Sequence, residues 1–346
     1  MTSPRLALRA LLRARLPVVA APMFLVSGPQ LVTASCRAGI VGTFPTLNAR
    51  TDAQLNEWLT DITADLASAP DAAAYGVNLI VHRTNPKLKA HLELVVKHRV
   101  PVVITSLGAV KEVIDAVHSY QGIVLHDVTN ERHAAKAVEA GVDGLIAVCA
   151  GAGGHAGIAS PFALLPRLRA RFPDTLLLAA GAISDGASVR AALAMGADLA
   201  YLGTRLVATK ESIADDAYKA MVVSGDKSGP SPAFLPTVYT DKVSGVNANF
   251  LRESLVRAGM DPDRLAKVEA VEEDFSKLNA NDSKAWRDVW SAGHGVLNIH
   301  DSPPVAELVA RLATEYEAAA REEAEGGRIA QWDSGVRAAA AGKAKL

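Results

Sequence analysis

The sequence predicts an α/β fold: a closed TIM-type (β/α)8 barrel with a smaller, mostly helical inserted or cap domain. Three observations predict it. Short apolar or β-branched runs recur eight times by residue 202, each ending in a Gly, Pro, Asn or Ser signal and each paired with a stretch of helical spacing. The turn after the first run reads APMFLVSGPQ, without the glycine triplet that a doubly wound dinucleotide fold places there. Aromatic residues are only 5% of the chain while glycines number 26, a mixture suited to alanine-rich helices packed on parallel strands.

The elements follow in order. Strand Pro17–Ala21 leads to helix Pro29–Arg37, strand Gly39–Phe44 to helix Asp52–Ala67, and strand Tyr75–Val81 to helix Pro86–His98. Strand Pro101–Ser106 precedes helix Val110–Ser119, Gly122–His126 precedes Glu131–Ala140, and Gly144–Cys149 precedes Pro161–Arg171. Leu176–Ala180 with helix Ala187–Met195, then Leu199–Leu202, complete the eightfold count. Buried strands alternating with amphipathic helices require parallel pairing through crossovers. After Leu206 the rhythm changes. Ser212–Val223 is helical in spacing, the next stretch is rich in Gly, Pro and Ser, and Asn249–Asp288 again carries helical spacing. The expected division is a barrel over 1–226, a helical cap over 227–288, and a return to the barrel over 289–346 whose closing helix is Pro304–Glu325.

Charge and cysteine content exclude several functions. Lys and Arg total 36 against 37 Asp and Glu, so the chain lacks the basic excess that a nucleic-acid surface needs. Cys36 and Cys149 lie too far apart for a zinc-type spacing, and no disulfide framework is indicated, so no metal is expected and a reducing, cytoplasmic setting is the simpler reading. Arg5, Arg9, Arg13 and Arg15 interrupt the apolar start, which therefore does not read as a signal peptide, and no window is long and apolar enough for a membrane span. Oligomeric state is not readable, and a homo-oligomer is left open.

In a parallel barrel the reactive groups gather at the carboxyl ends of the strands. The sixth such loop, CAGAGGHAG, surrounds His155 with glycines, which lets backbone approach a flat ligand without Cβ interference. Gly181 with Ser184, Asp185 and Gly186 at a helix start, and Gly203-Thr204 after the next strand, present backbone N–H groups suited to a phosphate; ordinary turn and N-cap chemistry is the alternative. Asn78 is an amide at a strand end, able to serve a heterocycle edge or an Asx turn. His126 either contacts substrate, steadies His155 or caps local backbone. Cys149 has no adjoining basic residue and reads as buried packing rather than as a nucleophile.

These residues resemble the nitronate monooxygenase family, formerly 2-nitropropane dioxygenases, which are FMN-dependent barrels related to the flavin-dependent enoyl reductases. The likeness rests on AAPM (20–23), GVNL (76–79), AGGHAG (152–157), AAGAI (179–183), LGTR (202–205), ANFLRESL (248–255) and WSAGHGV (290–296). It implies that Pro22 and Met23 back the flavin ring, that Asn78 bonds its pyrimidine edge, and that Gly153 and Gly154 pass close to it. It further implies that Gly181, Tyr201, Leu202, Gly203 and Thr204 surround the ribityl phosphate and that His155 is catalytic. The chain departs from the family pattern at Val148 and Gly151, where acidic residues are usual, at Ala182 in place of glycine, and at His294 in place of glutamine. The activity implied is oxidation of nitronates, or of nitroalkanes, by dioxygen to carbonyl compounds and nitrite. His155, with an ordinary pKa near 6.5, is expected to present either charge state near neutrality. Alternatives are a flavin-dependent reductase using NAD(P)H on an enoyl thioester or quinone, and a flavin- or phosphate-binding protein without turnover.

Overall fold

The structure, a computed structural model, describes residues 4–82, 84–224, 235–265 and 289–324, with 327, 329 and 330. Eight parallel strands close into a barrel: β1 Val18–Ala20, β2 Val41–Pro45, β3 Tyr75–Ile80, β4 Val102–Ser106, β5 Ile123–Val128, β6 Gly144–Val148, β8 Leu176–Ala180 and β9 Leu199–Leu202. The missing number belongs to β7, Gly154–His155, which lies outside the barrel. The ring is sealed where β1 pairs with β9, Val18 opposite Ala200 through Ala20 opposite Leu202.

The strands are apolar on both faces because both are covered. Inward-facing Val19, Val41, Ile104, Leu125, Ile146 and Leu178 fill the barrel. Outward-facing residues such as Val77, Val103, Val124 and Leu177 pack under the helices α3 Asp52–Ala67, α4 Leu88–Lys97, α5 Lys111–His118, α6 Glu131–Ala140 and α7 Pro161–Arg171. Local signals set the helix ends: Thr51 and Asn130 cap α3 and α6 with their side chains, and Gly141 ends α6 in the left-handed region at φ 99°.

Two features go beyond the sequence expectation. The arginine-interrupted start forms helix α1, Pro4–Leu11, and Leu8 and Leu12 join the inner cluster. Arg5 pairs with Asp198 at 3.4 Å and Arg15 donates to the Arg37 carbonyl at 2.9 Å, so these arginines latch the segment to the barrel.

The second feature is a three-stranded antiparallel sheet made of β10 Thr237–Thr240, β11 Ala248–Leu251 and β7. The expected cap, 227–288, is described over 235–265, where these strands precede short helices Arg252–Arg257 and Pro262–Leu265. The helical reading of Asn249–Asp288 therefore fails at its first three residues, and 266–288, with Trp286, lies outside the described residues. Strand wins at 248–251 because all four residues are buried and pair with β10, while Ala248 and Asn249 also pair with β7, which overrides local propensity. The chain returns through Trp290, stacked on Tyr218 with ring centroids 5.0 Å apart, to the closing helix Val305–Glu323. No helix among the described residues is long and apolar enough to cross a membrane, and none of their His, Cys, Asp and Glu side chains form a metal-binding cluster.

Candidate active site at the barrel mouth

The carboxyl ends of the strands open into a cavity of about 1400 Å³. Pro22, Met23, Asn78, His126, Gly153, Gly154, His155, Gly181, Tyr201, Gly203 and Thr204 all line it. Leu202 does not. Its side chain is buried between the barrel wall and the closing helix, because alternation along β9 turns Tyr201 and Gly203 inward and Leu202 outward.

The first wall is β1 and its loop. Asn48 donates its amide to the carbonyls of Met23 at 3.0 Å and Ser27 at 2.8 Å, and the Met23 N–H donates to the Ser27 hydroxyl. Asn48, which sequence reasoning passed over, thus holds Pro22 and Met23 in place.

The second wall is a polar rail across β3, β4 and β5. The Asn78 amide donates to the Ser106 hydroxyl at 2.7 Å and to the Ile104 carbonyl at 3.2 Å, and Ser106 donates to Asp127 at 2.6 Å. Both Asn78 donors are engaged within the protein, so what it offers a ligand is its acceptor, Oδ1. His126 shares a hydrogen bond with the Thr105 hydroxyl at 2.8 Å. Burial pushes the Asp127 carboxyl up and the His126 imidazole down, so both lean towards their uncharged forms. Asp127 was visible only as the neighbour of His126.

His155 stands on β7, paired opposite Ala248, with Gly154 opposite Asn249. The Asn249 amide donates to the Ala152 carbonyl at 2.7 Å, and the Tyr239 hydroxyl donates to that of Ala156 at 2.7 Å. The imidazole is exposed at the cavity wall, and desolvation by the surrounding protein pushes it down to about 4. That direction favours the uncharged form near neutral pH, where the sequence reading expects either state.

The glycines of this loop serve protein packing as much as any ligand. A Cβ on Gly153 would lie 2.6 Å from the Gly293 nitrogen, and one on Gly293 would lie 2.4 Å from the Gly151 oxygen. The His294 N–H donates to that same Gly151 carbonyl, Gly293 donates to the Thr204 hydroxyl, and Ser291 bridges to Phe250. The segment 290–296 therefore stitches the loops of β6 and β9 to the cap hairpin.

At the ends of β8 and β9 the two phosphate-type features separate. The helix α8, Gly186–Ala194, is closed off: Asp185 and Ser188 form a capping box, and Gly186 donates to the Glu315 carboxylate at 2.8 Å. Its N-terminus is taken by the closing helix. Gly181, at φ +126°, and Gly203 face the cavity, and neither N–H donates to an acceptor among the described residues. Cys149 is fully buried, and desolvation pushes its thiol up to about 12, which leaves it packing and no nucleophile.

Does this mouth fit a flavin mononucleotide? A Cβ at Gly203 would meet only Met23 Sδ at 3.7 Å and Ala21 Cβ at 3.8 Å, ordinary contacts, so nothing in the protein demands glycine there. What glycine keeps clear is the cavity side. Beside it lie the free N–H groups of Gly181 and Gly203, with the Asn78 acceptor across the mouth, and these suit a phosphate at one end and a heterocycle N–H at the other. The residues fit.

Comparison with known proteins agrees with this geometry. A family model described as nitronate monooxygenase matches residues 55–315. A nitronate monooxygenase from Paraburkholderia phytofirmans is 30% identical, the match covering 86% of this chain and 92% of that one. A 5-hydroxy-7a-methyl-1-oxo-octahydro-1H-indene-4-carboxyl-CoA dehydrogenase from Rhodococcus jostii is 27% identical over 83% of this chain and 76% of its own. Among solved structures, a nitroalkane oxidase from Streptomyces ansochromogenes superposes with a TM-score of 0.75 at 26% identity, covering 92% of this chain and all of that one.

Proposed function

The chain belongs to the nitronate monooxygenase family of oxidoreductases, and from that premise we propose that it oxidises alkyl nitronates with dioxygen to carbonyl compounds and nitrite, using FMN bound at the barrel mouth. The observation that carries the reading is His155: an imidazole on a strand-paired loop at the wall of a cavity whose adjoining β8 and β9 loops carry unpaired backbone N–H groups.

In this reading Pro22 and Met23 back the ring system, Asn78 Oδ1 accepts a hydrogen bond from its pyrimidine edge, and Gly153, Gly154 and Tyr201 border it. Gly181, Gly203 and Thr204 hold the phosphate. When bound, the flavin supplies electron acceptance from the substrate and delivery to dioxygen. His155 orients the substrate by donating its ring N–H to a nitro oxygen. For a neutral nitroalkane its second ring nitrogen would accept the α-proton, but an imidazole whose charged form is disfavoured is a weak base. The lowered basicity of His155 therefore favours substrates that arrive already deprotonated, and nitronates rank above nitroalkanes. His126, held by Thr105, and Asp127 border the substrate side. The division into barrel 1–226, cap 227–288 and return 289–346 belongs to the same proposal.

The test is the visible spectrum of the purified protein, followed by flavin and oxygen traces on addition of propionate nitronate. His155→Asn is expected to keep the flavin and lose turnover by about 10²-fold, the usual weight of a misplaced substrate. Unchanged turnover in that variant, or a protein that takes up no FMN, overturns the reading. The volume of the cavity favours one alternative, a flavin-dependent reductase with a larger substrate; bleaching of the yellow colour by NADH under argon would select it.

A further inference from the structure

The cavity is larger than one ligand requires. Its volume of about 1400 Å³ exceeds the roughly 300–1,000 Å³ usual for a single small-molecule pocket. A flavin with a short nitronate leaves part of it without an occupant.

Around the eight-strand ring β3 stands four places from β8, so the loop after β3 faces the Gly181 loop across the mouth, and the loop after β5 stands two places from β8 and three from β9. These loops, apart from the phosphate cradle, carry cations. Helix α6, which follows β5, turns His133, Lys136 and Ala137 to the cavity, positions i, i+3 and i+4 on one helical face. Lys87, which follows β3, lines it too and is steadied by donating to the Arg50 carbonyl at 2.8 Å. The His133 ring lies within hydrogen-bond distance of the Asn130 amide, at 3.3 Å, beside the cavity it lines.

The balance of charge there is one-sided. Among the described lining residues the sole carboxylate is Asp127, already engaged by Ser106. Lys136 has no acidic partner among the described residues. No arginine is among the described lining residues, so the planar fork that suits a carboxylate is missing, whereas Lys ammonium groups with Thr84 and Thr129 nearby suit the spread charge of phosphate. Ile80 and Leu107, both only half-buried, add apolar surface to the same cavity.

We propose that Lys136, with His133, forms a second anion subsite that takes the phosphate of an organic ligand other than the flavin, whose apolar portion lies over Ile80 and Leu107. The proposal rests on the flavin reading in one respect, the assignment of Gly181 and Gly203 to the flavin's own phosphate. Two kinds of molecule present such phosphates beside a redox-active group, coenzyme A thioesters and nicotinamide dinucleotide phosphates.

The experiment is calorimetric titration of FMN-loaded protein with coenzyme A and, separately, with NADP⁺, each at low and high salt, in the wild type and in Lys136→Glu. At least one titrant is expected to bind the wild type, to weaken as salt rises, and to bind the variant about tenfold or more weakly, with the flavin spectrum unchanged. Whether coenzyme A or NADP⁺ binds identifies the carrier. Binding of neither, or equal binding by wild type and variant, overturns the subsite. A protein that fails to take up FMN reports separately on the flavin reading, through its colour rather than through the titration.

Discussion

The side-chain amide of Asn249 donates to the backbone carbonyl of Ala152 at 2.7 Å, tying the second strand of the cap hairpin to the loop that carries His155. Asn249 is only 2% exposed, so removing the amide strands a buried carbonyl. Asn249→Ala is expected to cost about 1–3 kcal/mol of stability. Because His155 is placed through the same strand, turnover should fall by about tenfold or more. Chemical denaturation and steady-state kinetics on one preparation check both; a loss of stability with turnover intact would show that the hairpin supports the fold and not the histidine.

His155 makes a prediction about pH. With its imidazole pushed down to about 4, it stays uncharged from neutrality to well below pH 6. Its part in orienting the substrate should hold level through that range and change only as pH approaches 4, whereas a histidine at its ordinary value would show the change near 6.5. The same depression links to folding. The unfolded chain takes up a proton near 6.5 that the folded state refuses, so this group's contribution is present above 6.5 and is lost progressively as pH falls towards 4. Activity and unfolding profiles in matched buffers read the two effects.

Two glycines in one cavity should respond differently to a methyl group. Gly203→Ala places its Cβ in ordinary contact with Met23 and Ala21, at a φ of −106° that alanine tolerates, so stability should change by less than about 0.5 kcal/mol. FMN retention should nevertheless fall, measurable as a raised dissociation constant. Gly153→Ala drives its Cβ to 2.6 Å from the Gly293 nitrogen and 2.8 Å from the Ala292 carbonyl carbon, and should destabilise the fold by about 1–3 kcal/mol.

Arg205 is 2% exposed and donates to the Asp301 carboxylate at 2.9 Å, which also receives two bonds from Arg311. Asp301→Ala leaves the Arg205 guanidinium with the Asp301 carbonyl alone. The expected cost is about 2–3 kcal/mol, below that of a fully buried pair because Asp301 is partly exposed. The denaturation midpoint should show it, with Asp301→Asn intermediate.

The barrel was legible because each of its strands is buried on both faces and announces itself over a few consecutive residues, from Val18 to Leu202. The cavity residues followed from their position at strand ends. What escaped was set by distant partners. ANFLRESL is apolar at helical spacing, and nothing within it reveals that Ala248 pairs with His155, 93 positions earlier. Leu202 was drawn in by its neighbours, although alternation on β9 sends it outward. The glycines at 151 and 153 pointed to a flat ligand, yet a Cβ on Gly153 would meet Gly293 first and one on Gly151 the His294 ring, contacts no local pattern encodes.

The closing helix sets an order of events during synthesis. Val305, Leu308 and Leu312 cover the seam where β1 meets β9, packing with Val18, Ala20 and Leu202, and the helix runs so close to α8 that a Cβ on Gly186 would lie 2.2 Å from the Leu312 oxygen. A nascent chain that has made all eight barrel strands still carries that seam bare until the ribosome has passed both the cap segment and residue 312. The growing polypeptide must therefore shield an apolar joint for about a hundred further residues of translation, roughly 5–20 seconds at ordinary elongation rates. Fragments ending before Val305 should accumulate as aggregates, and a chaperone that holds this chain would find its grip at the β1–β9 seam.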